Sequence, residues 1–174
     1  MQQLELNNEY YLYAQNAINN FFELYEKRFG RKKPIFVCIG DPKVSGDAVG
    51  PYIGSILSEL DPDLTIYGTI KFPVMATNVN NFAKKLWVKS FFNRPIIAID
   101  ACIGPSAPGT IWCLNYKGLK PGEAYDRGLE FIGNTSIMVT VTDKLSKMNS
   151  VDNFRITRIS SIIAKNIYDN LCKL

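Results

Sequence analysis

Two stretches, Ile35-Phe-Val-Cys-Ile39 and Ile96-Ile-Ala-Ile99, are apolar at every position. A strand exposed on one face alternates in polarity, whereas one covered on both faces does not, so each reads as a buried strand of a parallel sheet. Helical spacing fills the sequence between them. Val49, Tyr52, Ile53, Ile56, Leu57 and Leu60 share one helical face, and Pro51 sets that helix's first turn, where a missing N–H costs nothing. Leu64 to Thr69 reads as a second strand. Asn78 opens another helix, with Val79, Phe82, Ala83, Leu86 and Trp87 on one face, and Pro95 to Asp100 is the third strand. This β-α-β-α-β alternation predicts an α/β fold with helices on both faces of the sheet.

The flanks extend the pattern. Tyr10, Ala14, Ala17, Ile18, Phe21, Tyr25 and Phe29 predict an amphipathic helix over residues 7 to 29, ended by Gly30. Lys27, Arg28, Arg31, Lys32 and Lys33 follow as a basic knot. It reads either as cations at a helix C-terminus with a solvated connector, or as a patch for a partner. Further strands are predicted at Thr110 to Tyr116 and Ser136 to Val141, and Ile156, Ile159, Ile163, Ile167 and Leu171 predict a closing helix. No repeat or linker intervenes, so the 174 residues read as one domain, with a helix and connector over 1–33 and an α/β core over 34–174.

Among 174 residues there is no histidine. That excludes Ser-His-Asp and Cys-His catalysis and any His-ligated metal, leaving carboxylates, lysines, tyrosines and thiols for acid–base work. A net charge of +4 is too mild to imply nucleic acid. Cys38, Cys102, Cys113 and Cys172 have neither zinc-ribbon nor C-x-x-C spacing and read as free thiols, mostly core filler. Without an apolar run of about 18 residues or a secretory leader, the expectation is a soluble cytoplasmic protein with no membrane role.

In open α/β sheets, ligands sit beyond the carboxyl ends of the strands, where the strand order reverses. With order 2-1-3, that crevice receives the loop Gly40-Asp-Pro-Lys-Val-Ser-Gly46-Asp47-Ala-Val-Gly50-Pro51 and the strand end Asp100-Ala-Cys102. Asp47 and Asp100 then form a carboxylate pair that shares a proton, one acting as acid and the other as base toward water. A structural alternative makes Asp47 a helix N-cap and Asp100 a strand-end residue bonded to loop amides. The glycines fit neither G-x-G-x-x-G nor a P-loop, and two aspartates would repel a phosphate. Cys102 alternates onto the same side as Asp100, but lacks a base to activate it and reads as crevice lining. Trp87 and Met138 read as core residues.

The stretches Gly46-Asp47-Ala-Val-Gly50-Pro51, Tyr67-Gly-Thr69, Pro73-Val-Met-Ala76, Asn78 and Ala98-Ile-Asp100-Ala-Cys-Ile-Gly104 resemble the sporulation protein YyaC family of spore-forming bacteria. Leu119-Lys-Pro-Gly122 and Phe131-Ile-Gly-Asn-Thr-Ser-Ile137 fit the same pattern more loosely. That family is similar to the spore germination protease and, more remotely, to hydrogenase maturation proteases. The resemblance implies a three-layer α/β/α sandwich of phosphorylase/hydrolase-like type with a mostly parallel central sheet. It implies Asp47 and Asp100 as catalytic residues, with Gly46, Pro73, Met75, Asn78 and Cys102 lining the substrate cleft. Met75 stands where many relatives carry histidine. The implied substrate is a protein or peptide, with small acid-soluble spore proteins as the family example and a cytoplasmic, forespore setting.

Three functions follow as expectations. The first is an aspartate-dependent endopeptidase of sporulation or germination that needs no cofactor. The second is a catalytically inactive module binding a protein partner through the cleft or the basic knot. The third is a metal-dependent hydrolase in which Asp47, Asp100 and Asp41 offer oxygen ligands to a hard cation. Self-association into a homo-oligomer stays open.

Overall fold

In the computed structural model, residues 8–75, 77–79, 82, 94–120 and 131–174 are described. Among these residues five strands form one sheet: β1 (Ile35–Cys38), β2 (Thr65–Tyr67), β3 (Ile96–Ile103), β4 (Ile111–Leu114) and β5 (Thr135–Thr142). Their order is β2-β1-β3-β5-β4. Every neighbouring pair is parallel except β4 with β5. The α/β class and the 2-1-3 start of the order are as the sequence implies. Helices α1 (Asn8–Phe29), α2 (Val49–Leu60) and α3 (Asn153–Leu171) complete the regular elements that concern the site.

Each central strand is buried on both faces because alternate side chains enter two separate apolar clusters. Phe36 and Cys38 of β1, Ile97 and Ile99 of β3, and Ile137 and Val139 of β5 point toward α1, α2 and α3. Ile35, Val37, Ile96 and Ala98 point the other way, where Val79, Leu119 and Ile132 cover them. On the helical side, α1 contributes Tyr10, Ile18, Phe21 and Tyr25, all with almost no exposure. Full burial of one such side chain stabilises the fold by about 1.5–3 kcal/mol relative to leaving it in water. Gly30 ends α1 at φ 69°, a left-handed conformation that glycine adopts without penalty.

Four details differ from expectation. Leu60, assigned to the apolar face of α2, is exposed in that helix's last turn. The second strand is three residues rather than six, because β2 is an edge strand paired only with β1. Strand β3 runs on to Ile103, since β5 pairs with it beyond Asp100. Strand β4 stops at Leu114 and closes the far edge antiparallel. Apart from Asn78, Val79 and Phe82, the helix expected after Asn78 lies outside the described residues, as does Trp87.

Much of the basic knot is spent internally. Arg28 donates to the carbonyls of Asn115 and Asn134, tying the end of α1 to the exit of β4 and the approach of β5. Arg31 pairs with Glu26 at 2.8 Å and Lys33 with Asp61 at 3.9 Å. Arg94 reaches back to the carbonyls of Lys33 and Pro34 and to Oγ1 of Thr65. These contacts fit a structural connector.

Candidate functional site

The loop after β1 folds back on itself at glycines that nothing larger could replace. Gly40 sits at φ 144°, and a Cβ there would fall 1.9 Å from the main-chain oxygen of Asp47. At Gly50 a Cβ would lie 2.1 Å from the carbonyl oxygen of Ile39, so α2 starts directly against the end of β1. Gly46 is buried beneath Asp47, where a Cβ would lie 2.9 Å from both the carbonyl oxygen and the sulfur of Met148. The motif glycines thus permit close backbone approach.

Asp47 is not the N-cap of α2. It ends a short 3-10 turn, Ser45–Asp47, and Ala48 takes the cap position without a side-chain bond. Its Oδ2 instead accepts the main-chain N–H of Asp41 at 2.7 Å. Asp100 lies within β3, and its Oδ1 accepts the N–H of the adjacent Ala101 at 2.8 Å. Both aspartates line one cavity of about 430 Å³, together with Cys102. Among the described residues the remaining wall is largely apolar, including Leu114, Met138 and Met148, and its cations are Lys117 and Lys120.

This environment separates the two carboxyls. Burial, then the charge of Asp47, holds Asp100 well above the ordinary carboxylate range, and its single N–H bond opposes this only weakly. Asp47 is also raised by burial, but the N–H of Asp41 favours its charged form while the Asp41 carboxylate disfavours it. One group therefore keeps its proton to higher pH than the other. Burial also pushes the Cys102 thiol up, against the hydrogen bond with Thr140 at 3.5 Å, so it has no thiolate character.

Of the residues expected at the cleft, the structure brings together Asp47, Asp100 and Cys102, while Gly46 packs against Met148 without lining the cavity. Pro73 and Asn78 lie elsewhere. They line a second cavity of about 480 Å³ beside β2, with Tyr67, Phe72 and Phe82. Met75 lines neither cavity, and its N–H donates to Oδ1 of Asn78 at 2.9 Å. The reason is topological: the chain returning from β2 pairs Val74 with Ile39 on the outer side of β1, away from β3. Met138, expected in the core, faces the first cavity. Sequence reasoning missed Lys117, Lys120 and Met148. The only signal was the Leu119-Lys-Pro-Gly122 stretch, which holds Lys120 but not Lys117 and has no periodicity to place it.

The oxygen-ligand set is also corrected. Among the described residues, no three His, Cys, Asp or Glu side chains gather closely enough to hold a metal ion. Asp41 turns Oδ1 back to the N–H of Lys43 at 2.9 Å.

Fold and site together define a class: a mixed α/β protein, five-stranded and mostly parallel, with a carboxyl pair in a cavity at the strand ends. The chain belongs to the family described as "Protein of unknown function (DUF1256)", which it matches over residues 9–169. It is 33% identical over 125 residues to "Uncharacterized protein YyaC" of Bacillus subtilis (strain 168). That match covers 71% of this chain and 60% of the relative, so the chain spans less than two thirds of the relative's length. The resemblance carried by the G-D-A-V-G-P and A-I-D-A-C stretches is thereby borne out. Similar solved structures include an uncharacterized protein from Wolinella succinogenes, at TM-score 0.48 and 17% identity over 79% of this chain and 95% of that one. Another is the [NiFe] hydrogenase maturation protease HycI from Thermococcus kodakarensis KOD1, at TM-score 0.46 and 18% identity over 83% of this chain and 98% of that one. No helix among the described residues is long and apolar enough to cross a membrane.

Proposed function

We propose that the chain is an endopeptidase in which Asp47 and Asp100 hydrolyse a peptide bond. The observation that carries this reading is the pair itself: two carboxyls in one cavity, with burial and mutual charge keeping a proton on the pair. Asp100, more strongly raised and with one main-chain donor, is the acid. Asp47, bonded to the Asp41 N–H, is the ionised base. In the reaction, Asp47 takes a proton from water as its oxygen adds to the carbonyl carbon, and Asp100 gives its proton to the carbonyl oxygen. When the C–N bond breaks, the leaving nitrogen takes the proton held on Asp47 and the carbonyl oxygen returns its proton to Asp100. Both carboxyls are restored and one water is consumed. Substrates are proteins or peptides. Small acid-soluble spore proteins and a sporulation role come from the motif resemblance to the germination protease.

The test is a pH-resolved cleavage assay on small acid-soluble spore proteins and other basic proteins. It compares the wild type, Asp47→Asn and Asp100→Asn, each with and without chelator. Cleavage by the wild type alone, unaffected by chelator, is expected. Activity surviving in either folded Asn variant overturns the mechanism.

A further inference from the structure

The cavity holding the aspartates carries charges of both signs on its wall. Beyond Asp47 and Asp100 its wall carries Lys117 and Lys120. Among the described residues, neither lysine forms an ion pair. The Lys117 ammonium lies over two rings, 6.0 Å from the centre of Tyr116 and 5.9 Å from that of Phe131. Ring faces orient a cation without neutralising it, so the charge remains available to a ligand.

The backbone beneath it is fixed. Leu119 and Ile132 exchange both main-chain hydrogen bonds, at 3.0 and 2.8 Å, and Ser136 donates to the carbonyl of Lys117 at 3.4 Å. Gly118, between them, packs so closely that a Cβ would lie 1.9 Å from the carbonyl oxygen of Ile132. A cation carried on an anchored backbone, in a largely apolar wall shared with a carboxyl pair, matches a ligand that is apolar along its length and carries an anion. The lysines attract such an anion and an ionised Asp47 repels it, so the charges select where on the wall it is held.

From this we propose that the cavity recognises a carboxylate on its peptide ligand, with Lys117 as the specificity-determining residue and Lys120 assisting. The inference rests on the peptide-cleft reading but not on cleavage. Carboxylates have two sources in a peptide, an Asp or Glu side chain and the chain's own C-terminus.

The experiment is calorimetric titration of full-length Asp100→Asn protein, shown folded by circular dichroism, with short apolar N-acetylated peptides. Three C-amidated peptides carry Glu, Gln or Lys at one position, and a fourth carries Gln with a free C-terminus. Since Lys117 is exposed, solvent screening limits the preference for a carboxylate peptide over the amidated Gln peptide to about fivefold. The Glu peptide or the free-terminus peptide will show it, which identifies the source. Raising the salt shrinks the preference, Lys117→Gln removes most of it, and Lys117→Glu shifts it toward the Lys peptide. Lys27→Gln, in the last turn of α1, leaves it unchanged. Equal binding of all four peptides, binding of none, or a preference that survives Lys117→Gln combined with Lys120→Gln overturns the inference. If the preference is seen but the wild type cuts nothing, the peptidase reading fails and this one stands.

Discussion

The main-chain N–H of Asp41 donates to Oδ2 of Asp47 across 2.7 Å, so a carboxylate at the end of the loop closes that loop at its beginning. Shape and chemistry thus depend on one side chain. Asp47→Asn keeps an acceptor oxygen and is expected to unfold within about 0.5 kcal/mol of the wild type, while Asp47→Ala strands the Asp41 N–H and costs about 1–2 kcal/mol. Urea denaturation of both variants checks this. Equal losses would show that the bond does not hold the loop.

Asp100 gives stability a pH dependence of definite sign. As pH rises past the ordinary value of 3.8, the unfolded chain releases this proton and the folded chain keeps it, so stability falls with rising pH. The fall ends once the folded carboxyl also ionises. Asp47, raised too, adds to the same trend. Asp100→Asn is expected to flatten the slope and to be the more stable protein at neutral pH. A wild type whose stability rises through this window would contradict the buried, protonated state.

The same pair shapes the rate profile. Cleavage is expected to be bell-shaped in pH, lost on the acid side as Asp47 takes up a proton and on the alkaline side as Asp100 gives one up. A profile level from pH 4 to 9 would remove the pair from the chemistry.

Thiol reagents should sort the cysteines by exposure. Cys172 is exposed, Cys38 is fully buried with its thiol pushed up, and burial pushes Cys113 up to about 12. One fast reaction at pH 7, abolished by Cys172→Ser, is expected in native protein. Rapid modification of Cys102 would instead reveal an activated thiolate beside Asp100.

Helix α1 is expected to act in folding rather than recognition. Phe21→Ala, at a side chain with almost no exposure, should cost about 3–5 kcal/mol in denaturant unfolding. Lys32→Gln, on the exposed connector, should change stability by less than about 0.5 kcal/mol.

Continuous apolar runs made the central strands readable, and with them the position of Asp100, because burial on both faces leaves no polar residue in β1. The Asp47 loop was readable because its glycines and Pro51 bracket a strand-to-helix turn. Periodicity, however, says which face a residue occupies and not what lies opposite. The cavity that Pro73 and Asn78 line was therefore not legible, since only the pairing of Val74 with Ile39 decides on which side of β1 that segment runs. Lys117 and Lys120 escaped for a related reason. They reach the site through a bridge between Leu119 and Ile132, a contact with no local signature.

The sheet's two faces do different work. One is clad by α1, α2 and α3, while Asp100 and Cys102 project from the other beside Met138. Apart from Ala101, Ile103 and Met148, which line the cavity and also pack in the helical cluster, the residues that shape the cavity are not those that hold the helices. Such a division lets a lineage try new ligands without rebuilding its foundation, with the loop from Gly40 to Gly50 as the place where both constraints meet.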